Sequence, residues 1–336
     1  MTDAAFFISD AGDPDAIAHA AMALYPPAER GVPRLLCLSE NATYRIDLPD
    51  GRRRVLRVHR PGYHDAAEIR SELAWLDSLH ATGLPVPRAV CAMDGERLHH
   101  IAMPGAPGRH VVMFNWIDGA EPTPDIAPDS FARLGRITAR LHRHSRAWQR
   151  PTGFRRKTWT HATMVGPDAP WGQWQAARGL DDAARDTITH AMARAGAELA
   201  AYGHGAARFG LIHADLRLAN LLIAGGKTHI IDFDDCGMSW FMQDLAAALS
   251  FFEDHPRMPH WVAHWLRGYD SIASVTPADL SVLPALIAQR RVQLLAWGAS
   301  HAHTAQVQGL GPQWNARCVT LCRDYLDAHL ARRIGV

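Results

Sequence analysis

Apolar residues recur at regular spacings along the first third of the chain, and these spacings predict its elements. Helical spacing of apolar positions predicts a short helix over residues 14–25 and a longer one over 65–81. Alternation of apolar and polar residues predicts strands, and Pro49-Asp50-Gly51 between two of them is typical of a hairpin turn. The predicted strands cover residues 33–38, 43–48, 54–59, 86–92 and 111–116. The pattern therefore predicts a small antiparallel sheet with one inserted helix.

Helical patterns dominate the rest of the chain. Asp118-Gly119 and the proline-rich stretch 121–128 predict a boundary between a lobe over residues 1–117 and a lobe over 118–336. The predicted helices of the second lobe cover 131–145, 181–202 and much of 241–255, 259–273 and 279–304. Short strands interrupt them at 211–212, 221–223 and 229–233. A sheet followed by helices predicts an α+β fold of two lobes.

Composition and charge narrow the classes of protein that fit this pattern. The 336 residues are 48% hydrophobic and 21% charged, which is ordinary for a globular chain with a sizeable core. The net charge of +1 and the lack of a basic stripe argue against nucleic-acid binding. We expect no membrane association, because no apolar run is long enough to span a bilayer and the first residues lack a signal-peptide pattern. Five cysteines without disulfide-like spacing predict a cytoplasmic protein, and the sequence indicates no oligomeric state.

The stretch from residue 211 to 235 carries the candidate chemistry. Asp215 and Asn220 follow a short apolar strand, and Asp232 comes at the end of the next strongly apolar strand. Phosphoryl transfer from ATP requires such a set, in which one aspartate accepts the proton of the attacking hydroxyl. An asparagine and a second aspartate then hold Mg²⁺ against the phosphates, and Asn220 with Asp232 fits that pair because Mg²⁺ prefers oxygen ligands.

Three motifs make the sequence recognisable. His213-Ala214-Asp215 with Asn220 matches an H-G-D-x-x-x-x-N element, and Ile231-Asp232-Phe233-Asp234 matches an I-D-F/W-D element. Asp244-Leu245-Ala246 matches the D-L-A element that follows it. The chain thus resembles the aminoglycoside phosphotransferase-like, or choline kinase-like, branch of the protein-kinase fold. The segments 56–64, 71–76 and 139–148 look most like the bacterial stress-response kinase and type II homoserine kinase-like subgroup.

The resemblance implies a two-lobed protein-kinase-like fold with ATP and Mg²⁺ as cofactors. The N-lobe is implied to be an antiparallel sheet with one helix, and the C-lobe to be mainly helical. Asp215 is implied as the catalytic base, and Asn220 and Asp232 as the Mg²⁺ ligands. Asp244 is implied to hold the catalytic loop through hydrogen bonds to its backbone.

The resemblance also implies a nucleotide site in the N-lobe. A turn after the first strand covers the phosphates, a strand cation pairs with a helix carboxylate, and a hinge after the last strand meets adenine. In chain order these are Ser39 and Asn41 for the turn, Arg57 and Glu72 for the ion pair, and Asn115, Trp116 and Ile117 for the hinge.

The sequence departs from the family pattern at two positions. Arg57 stands where lysine is usual, and no lysine precedes Lys157. A guanidinium is always charged and can bind phosphate in a bidentate way, so we expect activity to survive. Ala214 replaces the usual glycine, which is tolerated if its φ is negative.

Several residues fit plainer roles as well. One of Asp234 and Asp235 fits a second metal contact, but surface or turn positions are favoured for both. Arg217 fits contact with substrate or phosphate and equally a solvated loop position. Three tryptophans in a loop-rich segment fit either a substrate pocket or a loop packed on the helices: Trp159, Trp171 and Trp174.

Together these features predict an ATP- and Mg²⁺-dependent kinase that phosphorylates a hydroxyl. Acidic residues are not concentrated in the last third of the chain, which argues against an aminoglycoside acceptor. A small hydroxyl metabolite, such as an amino alcohol or a homoserine-like molecule, or a protein serine or threonine fits better. Two alternatives remain: a nucleotide-binding pseudokinase scaffold, on the strength of Arg57, and a metal-dependent hydrolase, which would leave the sheet lobe without a role.

Overall fold

The computed structural model describes residues 13–39, 41–103, 106–122, 128–302 and 304–336. The chain forms two compact units. The first comprises Met1–Ala120, Arg150–Arg155 and Leu222–Asp234, and the second comprises Glu121–Gln149, Arg156–Leu221 and Asp235–Val336. Because two later segments belong to the first unit, the units do not follow a single break in the chain, and the lobe boundary after residue 117 stays a prediction. Glu40 of the predicted phosphate turn and residues 123–127 of the predicted boundary lie outside the described residues.

The first unit is built on a five-stranded antiparallel sheet with the strand order β1-β2-β3-β5-β4. Its strands are β1 (Val32–Leu38), β2 (Ala42–Asp47), β3 (Arg53–Val58), β4 (Leu98–Met103) and β5 (Ala106–Asn115). The predicted hairpin between β2 and β3 is confirmed. The predicted strand over 86–92 is wrong, since that segment forms an isolated bridge from Ala89 to Phe114, with two backbone hydrogen bonds to β5, and no continuous strand. Pro85 and Pro87 explain this, because proline has no N–H to donate to a ladder.

Two helices flank this sheet and divide its faces. Helix α1 (Pro14–Ala21) buries Ile17 in a core that includes Tyr44 and Leu56. Along β3, Leu56 and Val58 are buried in that core, so Arg57 between them points to the opposite face. Helix α2 (Ala66–Ala81) begins with a capping box and carries Glu72 as a buried residue. A cation on a strand and a carboxylate on a helix are thereby held inside one unit.

Strands β7 (Leu221–Ala224) and β8 (Lys227–Ile230) pair with each other as a hairpin, which belongs to the first unit from Leu222 onward. Gly225 and Gly226 have φ of 53° and 74°, the conformation that a tight two-residue turn requires. The predicted strand over 229–233 ends earlier, at Ile230. Asp232 follows it with a φ of 61°, which is rare for a residue other than glycine.

The second unit is mainly helical, as predicted. Its helices are α3 (Pro128–Ala147), α4 (His161–Val165), α5 (Asp182–Tyr202), α6 (Gln243–Ala248), α7 (Met258–Asp270), α8 (Pro277–Ser281), α9 (Leu283–Ser300), α10 (Ala305–Gly309), α11 (Trp314–Leu326) and α12 (His329–Ile334). Strands β6 (Phe209–Ile212) and β9 (Gly237–Trp240) form a separate antiparallel pair, of which β9 was not predicted. Helices α3 and α7 cross closely at two glycines, since a Cβ on Gly268 would lie 1.9 Å from the Ala132 carbonyl oxygen. In the part of the chain that is described, no helix is long and apolar enough to cross a membrane.

Candidate active site

A buried ion pair organises the polar face of the first unit. The Nη1 of Arg57 lies 2.8 Å from Oε1 of Glu72, so the predicted pairing is present. The guanidinium also lies 3.5 Å from Oδ1 of Asp232 and 3.5 Å from Oδ1 of Asp234. Three carboxylates therefore lie around one cation, which holds the Arg57 guanidinium in place.

Asp234 lies in a turn, as predicted, but it is buried rather than on the surface, so the predicted surface position is wrong. Its side chain is buried, and its Oδ2 accepts a hydrogen bond of 2.9 Å from Nδ2 of Asn41. Its carboxylate also lies 3.6 Å from Nδ1 of His59 and 3.8 Å from Nε2 of His64. The partners come from distant parts of the chain, so no local pattern reveals them. Asp234 thus ties the turn after β1 to the end of β3.

The predicted phosphate turn connects β1 to β2. The Ser39 N–H donates to the Asn41 carbonyl oxygen at 3.1 Å, which closes the turn. Oδ1 of Asn41 accepts a hydrogen bond of 3.0 Å from the Arg60 N–H. Both ends of the Asn41 amide are therefore engaged with protein groups, and the turn is held against the polar face of the sheet.

The predicted hinge is the segment that leaves the sheet after β5. Asn115 is the last residue of the strand, and its N–H donates to the Arg88 carbonyl oxygen at 2.9 Å. Trp116 donates from its indole N–H to Oδ1 of Asp118 at 3.1 Å, and the Arg53 guanidinium lies 4.8 Å from its ring centroid. Ile117 is half-buried and belongs to no strand. The segment is thus anchored by the contacts of Asn115 and Trp116, and its role as a hinge stays a prediction.

The pKa of His59 is strongly lowered by its surroundings. Burial lowers its pKa to about 3, and the positive charge of Arg57 and the neighbouring rings of His64 and His110 act in the same direction. The carboxylate of Asp234 opposes the shift without overcoming it. The ring is therefore neutral in the folded protein at physiological pH.

Acidification should destabilise the protein through His59. The unfolded chain binds a proton at His59 near pH 6.5, whereas the folded chain does so only near pH 3, so stability falls as the pH decreases through this interval. Between pH 7 and pH 5 this group alone should lower the free energy of unfolding by about 2 kcal/mol. Urea unfolding of His59→Gln at both pH values should lack that loss. The exposed His260→Gln variant is the control, and an equal loss in the wild type and His59→Gln would contradict the assignment.

Asp215 is the centre of the second unit's polar cluster. It lies in the loop after β6 and is 13% exposed at its side chain. Its Oδ2 accepts hydrogen bonds from Nδ2 of Asn220 at 2.8 Å and from Nε of Arg217 at 3.1 Å. Its Oδ1 accepts one from Nη2 of Arg290. The sequence left open whether Arg217 is solvated. In the structure its guanidinium pairs with the Asp215 carboxylate and lies 5.7 Å from the Phe251 ring centroid.

The charge of Asp215 is fixed by these neighbours. Burial raises the pKa of a carboxyl group, but the guanidinium groups of Arg217 and Arg290 outweigh that effect. The pKa of Asp215 therefore lies below its ordinary value, and the carboxylate is ionised at neutral pH. A group of this kind orients a hydroxyl strongly and takes up its proton only as the oxygen is transferred.

Asp244 holds the loop that carries Asp215, as the sequence predicted. The carboxylate is fully buried and accepts hydrogen bonds from the N–H of Ala214 at 2.8 Å and of His213 at 3.3 Å. It also accepts one from Nε2 of His142 at 2.9 Å, and Nδ1 of that ring accepts from the Tyr269 hydroxyl at 2.9 Å. A neutral imidazole has one donor and one acceptor, which satisfies both contacts. Burial lowers the pKa of His142, in agreement with the neutral ring.

Ala214 does not have the negative φ that would make alanine unstrained. Its φ is 68°, in the left-handed region that favours glycine. The hydrogen bond to Asp244 holds the peptide in this conformation. The family's usual glycine is therefore explained by backbone geometry, and the alanine here stores a small strain beside the candidate base.

Comparison of this chain with known protein families and structures shows the family to which it belongs. The sequence model of the phosphotransferase enzyme family (APH) matches residues 38–282, which include both polar clusters except Arg290. The chain belongs to this family. It is a kinase, that is, a phosphotransferase with an alcohol group as acceptor.

Similar proteins agree with this membership. The structure of the microcompartment-associated aminopropanol kinase is 39% identical, covers 95% of this chain and 99% of its own, and has a TM-score of 0.86. An amicoumacin kinase in complex with AMP-PNP and Ca²⁺ shows the same fold, with 20% identity, 94% coverage of each chain and a TM-score of 0.76. A homoserine kinase of Acidiphilium cryptum is 28% identical over 238 residues, which are 69% of each chain. The predicted family and kinase-like fold are thus confirmed.

The sequence did not single out Arg290, the second cation on Asp215 of this phosphotransferase. Arg290 and Arg291 are adjacent in α9 and almost fully buried within a mainly apolar helix. Arg291 pairs with the buried Glu253 at 2.6 Å, so each arginine has its own carboxylate. A buried arginine requires an anionic partner, so two arginines within a mainly apolar stretch of sequence indicate buried carboxylates nearby.

The three tryptophans are buried, and Trp171 lies 4.9 Å from Arg290, which supports their role in packing the loop.

Proposed function

We propose that this phosphotransferase is an ATP- and Mg²⁺-dependent cytoplasmic kinase that phosphorylates the hydroxyl of a small amino alcohol. The observation that carries the proposal is the Asp215 carboxylate, which is ionised and held by three donors in the loop after β6. The likeness at 39% identity to an aminopropanol kinase supports the acceptor class. The aminopropanol, homoserine and amicoumacin kinases are all named for small molecules, which favours a metabolite over a protein serine or threonine.

The reaction we propose begins with the acceptor hydroxyl donating a hydrogen bond to Asp215. The hydroxyl oxygen attacks the γ-phosphorus of ATP, and the bond from that phosphorus to the oxygen bridging to the β-phosphate breaks. ADP leaves with the electron pair of that bond, and the hydroxyl proton passes to Asp215 and then to water. Since phosphoryl transfer requires little covalent help, the main contribution of Asp215 is to align the attacking oxygen.

We assign Asn220 and Asp232 to the divalent metal, as the family resemblance implies. Nδ2 of Asn220 donates to the main-chain oxygen and to Oδ2 of Asp215, each at 2.8 Å, which leaves its amide oxygen to face a cation. The Asp232 carboxylate is half-exposed after β8, on a backbone with positive φ of the kind found at functional sites. An amide oxygen and a carboxylate are donors that fit Mg²⁺. When bound, Mg²⁺ supplies positive charge against the nucleotide phosphates.

The nucleotide is assigned to the first unit. Arg57, held by Glu72, is proposed to bind the α- and β-phosphates in place of the family's lysine. Its planar fork suits two phosphate oxygens, whereas a lysine presents one point charge. The turn with Ser39 and Asn41 is proposed to cover the phosphates. The hinge of Asn115, Trp116 and Ile117 is proposed to offer its backbone to adenine. The AMP-PNP in the amicoumacin kinase supports a nucleotide for this fold.

Turnover of a matched pair of amines tests the proposal. With ATP and Mg²⁺, 1-amino-2-propanol should yield ADP and its phosphate ester in equal amounts, whereas 1-aminopropane, which lacks the hydroxyl, should yield neither. Chelation of the metal should abolish the reaction, and added Mg²⁺ should restore it. Homoserine and a serine-rich protein serve as further acceptors. Nucleotide binding without a phosphorylated product from any of them would favour the pseudokinase scaffold and contradict the proposal.

A further inference from the structure

Arg290 has a defined partner at each guanidinium nitrogen. Nε donates to Oγ of Ser250 at 3.0 Å, and Nη1 donates to Oε1 of Gln293 at 3.0 Å. Nη2 donates to Oδ1 of Asp215. The Trp171 ring lies 4.9 Å from the guanidinium carbon and covers it. A long side chain is thus confined to one position by contacts with α9, with the end of α6 and with the loop before α5.

These contacts decide how Asp215 presents its two oxygens. A carboxylate offers about four lone-pair positions, two on each oxygen. Oδ2 already accepts hydrogen bonds from Arg217 at 3.1 Å and from Asn220 at 2.8 Å. Oδ1 accepts a hydrogen bond from Arg290 and, among the described residues, from no other donor. One lone-pair position of Oδ1 is therefore left for a group that the protein does not supply.

We propose that Arg290 is a positioning residue that fixes the rotamer of Asp215 and directs Oδ1 to the acceptor hydroxyl. This rests on the proposed function, in which Asp215 binds that hydroxyl. Without Arg290 the carboxylate keeps its two bonds at Oδ2 but rotates about them, so the attacking oxygen loses alignment. Lysine is a poor replacement, because one ammonium group cannot reach Ser250, Gln293 and Asp215 in the plane of a guanidinium.

Arg290→Lys and Arg290→Met should both lower kcat, by roughly 10- to 100-fold as expected for a misaligned reactant, with the KM for ATP nearly unchanged. Arg291→Lys is the matched control. It changes the neighbouring buried arginine, whose partner is Glu253 rather than Asp215, and it should keep kcat. Thermal unfolding of all three variants separates lost stability from lost alignment. A wild-type kcat in Arg290→Met, or an equal fall of kcat in Arg291→Lys, would overturn the proposal.

A double-mutant cycle with Asp215→Asn distinguishes this proposal from the proposed function. If Arg290 acts through Asp215, then Arg290→Lys should have almost no further effect on kcat in the Asp215→Asn background. A structural role would instead lower kcat by the same factor in both backgrounds and would overturn the inference alone. Full activity of Asp215→Asn would overturn the proposed function itself.

Discussion

Asp215→Asn should lower kcat by about 10²- to 10⁴-fold, the usual contribution of a positioned acid or base, while nucleotide binding stays near the wild-type level. The amide has the shape of the carboxylate but cannot accept the hydroxyl proton. It also turns an NH₂ group toward the donors Arg290, Arg217 or Asn220, so at least one of those hydrogen bonds is lost. Initial rates at saturating ATP and acceptor measure kcat, and titration calorimetry with AMP-PNP measures binding.

A control separates this result from a general effect of removing a carboxylate. Asp254 lies in the same unit and pairs with Arg317 at 3.2 Å on the surface, where an ion pair contributes little. Asp254→Asn should therefore keep kcat within about twofold. An Asp215→Asn enzyme with undiminished kcat would exclude Asp215 as the base and direct the search to another proton acceptor.

Local signals explain why much of the first unit could be predicted. The hairpin of β2 and β3 rests on the alternation of apolar and polar residues in β2 and on a glycine turn, both readable within a dozen residues. Helix α2 begins at a capping box and ends before Gly83, which are equally local. The strand predicted over 86–92 is absent, and β4 and β9 were not predicted, because short strands take their pairing from distant partners.

The sequence indicated the candidate site residues that lie within a motif, and it did not indicate the contacts that depend on tertiary packing. Asp215, Asn220 and Asp244 stand at fixed spacings in one stretch, so the sequence displays them together. Arg290 reaches Asp215 across 75 positions, and Asn41 reaches Asp234 across 193. An arginine in an apolar helix or an aspartate after a motif has no local sign of its partner. Only the folded chain shows that Arg290 and Asp234 belong to the two polar clusters.

The positive φ of Ala214 shows how a distant carboxylate can set a local backbone conformation. Alanine in the left-handed region costs roughly 1–2 kcal/mol, so the loop requires a compensating interaction. Asp244 supplies it by accepting the N–H groups of His213 and Ala214. The structural role expected for Asp244 of the D-L-A motif is therefore confirmed, although the strained backbone of Ala214 that it stabilises is visible only in the fold.

Asp244→Ala should lower the free energy of unfolding by about 3–5 kcal/mol, as expected when one partner of a fully buried polar network is removed. The truncation leaves three donors without an acceptor, namely two backbone N–H groups and Nε2 of His142. Asp244→Asn retains one acceptor oxygen and should lose less. Urea unfolding followed by tryptophan fluorescence gives both values, and Asp254→Asn again serves as the exposed control. A loss below about 1 kcal/mol in Asp244→Ala would mean that water replaces the carboxylate, and the loop would then owe its conformation to its own turn.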